Sequence, residues 1–249
     1  MNKRLLILTI LVVGGVLASL VLKAKIAHSA PEETAESPAV SPRGDVFLQN
    51  KKYQEALRAY QKALQQRPQA PELHFNLGLA YAGLGRYREA LASFQEAVRR
   101  SPTWGRALAN LGAAHLKLQQ NQEAADALKK ALKYLPDDVD SHYLLGLAYG
   151  KMGHHQAARE AFEQALRINP GHQPSQKNLG MAYLKLERWE EAGNAFRQAA
   201  RLKPDDAEAH LGLCVYYLQI GDRPAAAREY KKLKELDEKL AAQLADLIK

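Results

Sequence analysis

Pro68, Pro102, Pro136, Pro170 and Pro204 stand 34 residues apart along a chain of 249 residues. A fixed spacing of that size calls for a unit that folds the same way each time and buries its apolar face against the next copy. With each unit counted from three residues past its preceding proline, position 7 is Leu77, Leu111, Leu145, Leu179 and Leu213. Position 8 is small: Gly78, Gly112, Gly146, Gly180 and Cys214. Position 20 is Ala90, Ala124, Ala158, Ala192 and Ala226, and position 24 is Phe94, Leu128, Phe162, Phe196 and Tyr230.

The spacing places positions 4, 7, 8 and 11 on one face of a first helix and positions 20, 24 and 27 on one face of a second. Small residues at 8 and 20 let the two backbones approach, and large ones at 7, 11 and 24 fill the space beside them. Each proline lacks an N–H and disfavours helix in the residue before it, so it ends the second helix. Asp137-Asp138 and Asp205-Asp206 then offer N-caps for the next one. No strand-like alternation interrupts this, and the reading is an all-α chain.

The L-G-x-x-Y, A-x-x-x-F and terminal Pro pattern resembles the tetratricopeptide repeat, over about four fifths of the chain. The resemblance implies a right-handed superhelical solenoid of stacked helix-turn-helix repeats, here preceded by a hydrophobic segment. The expected divisions are a basic flank (1–4), a hydrophobic segment (5–22), a disordered tether (23–41) and a truncated first repeat (42–70). Repeats two to six follow at 71–104, 105–138, 139–172, 173–206 and 207–236, with a capping helix at 237–249. Pro42 and Gly44 cut short the first helix of repeat one, which should cap the array.

Lys3 and Arg4 precede the uncharged run from Leu5 to Leu22, and Lys23 and Lys25 close it. About 17 to 25 apolar residues span a bilayer, so the run suffices for a membrane anchor. Its basic start and the small residues near Ala18 also fit a cleaved export signal. An uncleaved anchor fits better, because cleavage there leaves an apolar remnant and Pro31 spoils the later site at Ala30. The flanking charges place the amino terminus in the cytoplasm and the repeats outside, on the periplasmic side of a bacterial membrane. Residues 28–45 are rich in Pro, Ser and Glu, as a tether is.

Signals for chemistry are lacking. His74, His142 and His210 take packing position 4 of alternate units, and no cluster at ligand spacing accompanies them, so no metal is expected. No phosphate loop and no nucleophile with a base stand out, so neither a cofactor nor an enzyme is expected. The formal net charge of +8 raises nucleic acid as a partner, but the aromatics are taken up at positions 11 and 24, which argues against a stacking platform.

The resemblance does imply a binding face. In this family first helices line a concave groove, and partner segments lie against positions 2, 5, 6, 9, 12 and 13. Here those positions include Phe75, Tyr143 and Lys177 (position 5), Asn76, Asn110 and Asn178 (6), and Leu79, Leu147 and Met181 (9). Arg106 stands at position 2, and Lys117, Lys151 and Lys185 stand at position 13. An asparagine can give and take a hydrogen bond with a peptide backbone. The apolar strip beside a row of lysines favours extended or helical segments carrying apolar residues with Asp or Glu. The two-carboxylate clamp of chaperone-tail-binding relatives is not met, because Ser41, Asp45 and Asn110 occupy three of its positions. The expected function is a membrane-tethered protein-interaction scaffold. Two alternatives stand beside it: an exported soluble peptide-binding protein, and an assembly component that self-associates into homo-oligomers.

Overall fold

A computed structural model describes residues 41–248, and residues 5–22 and most of the tether lie outside that span. Among the described residues every regular element is a helix. Repeat one is α1 (Pro42–Gln49) and α2 (Tyr53–Gln66); repeat two is α3 (Pro71–Gly83) and α4 (Tyr87–Arg100); repeat three is α5 (Gly105–Lys117) and α6 (Asn121–Tyr134). Then come α7 (Val139–Lys151), α8 (His155–Ile168), α9 (Gln173–Lys185), α10 (Trp189–Leu202), α11 (Ala207–Ile220) and α12 (Arg223–Leu236). The chain divides into two units, whose described parts are 41–152 and 153–248.

In the first unit each helix packs on the next from α1 to α7, and first helices also touch in the pairs α1/α3 and α5/α7. In the second unit the helices pack consecutively from α8 to α12, and α9 touches α11. Glycine at position 8 is a matter of space. A Cβ on Gly78 would lie 2.6 Å from the Phe94 ring, one on Gly112 2.6 Å from Leu128, and one on Gly180 2.9 Å from Phe196. Second helices are strongly one-sided, as in α10, which buries Ala192, Gly193, Ala195, Phe196 and Ala199. First helices are covered on more sides: α11 buries an unbroken run from Ala209 to Tyr216.

The ends differ from the repeats between them. Helix α1 has eight residues where α3 has thirteen. Asp45 on α1 accepts hydrogen bonds from the Tyr60 hydroxyl (2.7 Å) and from Asn76 Nδ2 (3.1 Å), which ties repeat one to repeat two. At the other end the chain breaks at Asp237 and continues as two short helices, α13 (Glu238–Ala242) and α14 (Ala245–Ile248), where a single capping helix was expected. Asp237 caps α13 by accepting from the Leu240 amide at 2.9 Å, and Leu244 beyond it is fully buried.

Two features alternate from repeat to repeat. The interhelical turn uses a left-handed residue each time: Gly85, Gly153 and Gly221 in the even repeats, and Lys51, Gln119 and Glu187 in the odd ones. The position-4 histidines belong to the even repeats as well. Nε2 of His74, His142 and His210 donates to the carbonyl of the preceding Pro68, Pro136 and Pro204 at 2.9, 2.8 and 3.0 Å. Their packing position thus carries a specific bond to the end of the previous repeat.

His210 makes a second contact, Nδ1 to Glu229 at 2.7 Å. With acceptors at both ring nitrogens the protonated imidazole is favoured, and the Glu229 bond holds its pKa above the usual histidine value against the opposing effect of burial. A raised folded-state pKa gives stability that is fully present below the unfolded value near 6.5 and is lost as pH rises through the folded value. The urea midpoint of the second unit should therefore fall as pH is raised from about 6 towards 8, and His210→Gln should flatten that part of the profile.

Candidate functional site

On α7 the expected contact residues Tyr143, Leu147 and Lys151 recur every four residues and so share one face. Tyr143 and Leu147 are half-buried and Lys151 is exposed. On α9 the same spacing aligns Lys177, Met181 and Lys185, all half-buried. The equivalent stripe of α5 holds the small Ala109 and Ala113 before half-buried Lys117.

Phe75 and Leu79, expected on the groove surface, are only 4% and 5% exposed and belong to the core of the first unit. The reason is local packing. The Phe75 ring lies 4.7 Å from Trp104, in the turn before α5, and 5.7 Å from Phe94 on α4, and the Arg106 guanidinium covers it at 5.8 Å. Arg106 thus meets the strip by lying over an aromatic ring.

The asparagines are also occupied locally. Asn76 gives its amide to Asp45. Asn110 donates to the Arg106 carbonyl at 2.9 Å and Asn178 to the Pro174 carbonyl at 2.8 Å, each four residues back on its own helix. These bonds take one N–H of each side-chain amide, and each amide keeps a second N–H and a carbonyl oxygen.

The lysines divide into two kinds. Lys177 is neutralised: its ammonium bridges Asp206 and Glu208, and Asp206 also accepts from Gln173 Nε2 at 2.9 Å. Burial works against the Lys177 charge, but the two carboxylates raise its pKa above the ordinary lysine value. The position-13 lysines behave in the opposite way. Burial lowers the pKa of Lys117, whose ammonium lies 5.5 Å from the Tyr87 ring, and the charge of Lys151 lowers it further. Lys185 is lowered by burial alone, and among the described residues it has no carboxylate partner. Burial holds down the pKa of the His155 imidazole, and the charges of Lys185 and His154 lower it further. The lysine row is therefore a coupled pair in the first unit, Lys117 with Lys151, and a separate Lys185 beside two histidines in the second.

Among the described residues no three His, Cys, Asp or Glu are placed to hold a metal ion. The Cys214 thiol is buried and pushed up to about 12, which leaves it a poor nucleophile. None of the described helices is long and apolar enough to cross a membrane.

A family model for the cilia and flagella-associated protein 70 C-terminal domain matches residues 16–247. The chain belongs to this tetratricopeptide-repeat family. A crystal structure of MamA is similar at 31% identity and a TM-score of 0.62, over 68% of this chain and 92% of MamA. Two further tetratricopeptide-type neighbours show the same fold. PilF of Pseudomonas aeruginosa is 22% identical with a TM-score of 0.74, over 85% of this chain and 96% of PilF. YrrB is 21% identical with a TM-score of 0.66, over 77% of this chain and 100% of YrrB. Comparison with curated protein sequences gives no significant match.

The Lys177 network leaves no sign in the sequence, because Lys177 and its two acids are separated by about one repeat and carry no motif. The only available signal was the N-cap pattern Asp-x-x-Ala at Asp206, which explains the cap and not the lysine.

Proposed function

We propose that this tetratricopeptide-repeat chain is a membrane-tethered, non-enzymatic scaffold that receives segments of partner proteins on its first-helix faces. Residues 5–22 serve as the anchor, and the repeats stand on the outer side of a bacterial cytoplasmic membrane. The segments received are extended or helical and combine apolar side chains with Asp or Glu. Lys185 carries this reading: a half-buried ammonium without an acid gains most from a carboxylate that a ligand brings. Met181, one turn before it, supplies adaptable apolar contact. YrrB, of the same fold, is described as a TPR protein with an unusual peptide-binding site, which is in keeping with a binding role.

The test is a photocrosslinking amino acid placed in living cells at Met181 and, separately, at Gln198 on the exposed side of α10. Adducts are expected from position 181 and should drop about three- to fivefold in a Lys185→Glu background, where attraction of one ion pair becomes repulsion. Adducts from position 198 alone, unaffected by Lys185→Glu, would place the partner elsewhere.

A further inference from the structure

Charge is distributed unevenly along the repeats. Residues 153–248 hold fourteen Lys and Arg against fourteen Asp and Glu, and residues 41–152 hold sixteen against ten. Most of that excess lies in repeat one. Residues 41–70 contain six cations (Arg43, Lys51, Lys52, Arg58, Lys62 and Arg67) and two carboxylates (Asp45 and Glu55), a net charge of +4. Asp45 is turned inward to Tyr60 and Asn76, so its charge is spent on holding the repeat together.

What sets repeat one apart is that only two acids accompany its cations. Elsewhere, Arg86, Arg99, Lys129, Arg159 and Arg188 pair with an acid three or four residues away, while Arg88, Lys130, Lys133, Arg228 and Lys231 are exposed without a carboxylate partner among the described residues. Arg43, Lys51, Lys52, Arg58 and Lys62 are exposed, and among the described residues none of these five has a carboxylate partner. Arg58 and Lys62 share one face of α2, and Lys51 and Lys52 form the turn before it. Val46 on α1, five residues before Lys51, is 52% exposed, the most exposed large apolar side chain among the described residues. A basic surface carrying an exposed apolar residue is the combination that settles on an anionic bilayer.

We propose that repeat one docks onto anionic lipid headgroups through Arg43, Lys51, Lys52, Arg58 and Lys62, with Val46 entering the interface. The chain outside the structure argues for this occupant. From the end of the apolar run at Leu22 to Pro42 is about 20 residues, so repeat one is the repeat next to the proposed anchor along the chain. The surface attraction decays within about 8 to 10 Å, so only a repeat that comes to lie against the bilayer can use it, and the repeat next to the anchor is best placed to do so. Docking would fix repeat one at the bilayer surface. This inference rests on the membrane-tether reading above.

The experiment uses the full chain in vesicles of phosphatidylcholine alone or with about 30% phosphatidylglycerol, a strongly anionic surface. Val46→Cys carries an environment-sensitive dye, read by a headgroup-attached quencher, and buried Cys214 is protected from labelling. Quenching is expected only in the anionic vesicles at about 50 mM salt, and its loss is expected by about 0.5 M. The combined variant Lys51→Glu, Lys52→Glu, Arg58→Glu, Lys62→Glu should lower the docked-to-undocked ratio at least about tenfold. All four side chains are exposed, and the salt titration of the unmutated surface tests the same point without them. Equal quenching in the two vesicle types would overturn the proposal, as would insensitivity to charge reversal. Docking that emerges only in Glu32→Gln, Glu33→Gln, Glu36→Gln would also overturn it, by showing that the acidic tether occupies the surface. Alkaline carbonate extraction from neutral vesicles reports separately on the anchor. A chain that is extracted there but still quenched on anionic vesicles sinks the tether reading and leaves the headgroup surface standing.

Discussion

Phe196→Ala is expected to destabilise the second unit by about 3 to 5 kcal/mol, the usual cost of emptying a fully buried aromatic site. The Phe196 ring has no exposed surface, and it lies beneath two glycines from consecutive repeats, Gly180 on α9 and Gly212 on α11. Added Cβ atoms there would come within 2.9 and 2.5 Å of it. Without the ring three helices lose a common contact, and no side chain of α9 or α11 at these positions can move into the void. Hydrogen exchange should show lost protection in α9, α10 and α11 together, with α3 and α4 unaffected. If protection were lost only in α10, the ring would not be what joins the two repeats.

The second large effect concerns Asp206. One oxygen of this 7% exposed carboxylate accepts from the Ala209 amide at 3.0 Å, capping α11, and the other meets Lys177 and Gln173 on α9. Burial opposes the charge, but Lys177, the cap amide and Gln173 together hold the pKa below the usual aspartate value. Asp206→Ala should cost about 2 to 3 kcal/mol, about 1 for the cap and the rest for leaving Lys177 with Glu208 alone. Asp206→Asn keeps a good cap and removes only the charge, so it should recover part of the loss. A depressed folded-state pKa means that the stabilisation is present above the unfolded value near 3.9 and disappears as pH falls through the folded value. The difference in urea midpoint between the parent and Asp206→Asn should therefore close at acid pH. A difference constant down to pH 2 would mean that the carboxylate contributes no charge-dependent stability.

The sequence revealed those parts of the fold that depend on side-chain size at a fixed spacing. Gly78 under Phe94 and Gly112 under Leu128 follow from a period of 34 and from the volume of the partner ring or branch. The candidate site was less visible, because its surface depends on contacts between repeats that have no period. Phe75 is buried because Trp104 stands in one particular turn. Asn110 and Asn178 fold back on their own helices, a choice that the helix offers any asparagine and that no spacing announces. Lys177 and Lys185 occupy one stripe of one helix, yet the acids at the start of α11, Asp206 and Glu208, neutralise only the first.

The alternation of turns and histidines bears on how such a chain can lengthen. Gly85, Gly153 and Gly221 are separated by 68 residues, as are His74, His142 and His210. A left-handed turn costs glycine little and other residues roughly 1 to 2 kcal/mol, so the odd turns at Lys51, Gln119 and Glu187 are the dearer kind. Copying one repeat would set two turns of the same kind side by side and leave a proline carbonyl facing Leu108 or Gln176 in place of a histidine. Copying two keeps every junction as it was. The heritable module of this array is the pair, and gain or loss of length by pairs is the course its junction chemistry tolerates.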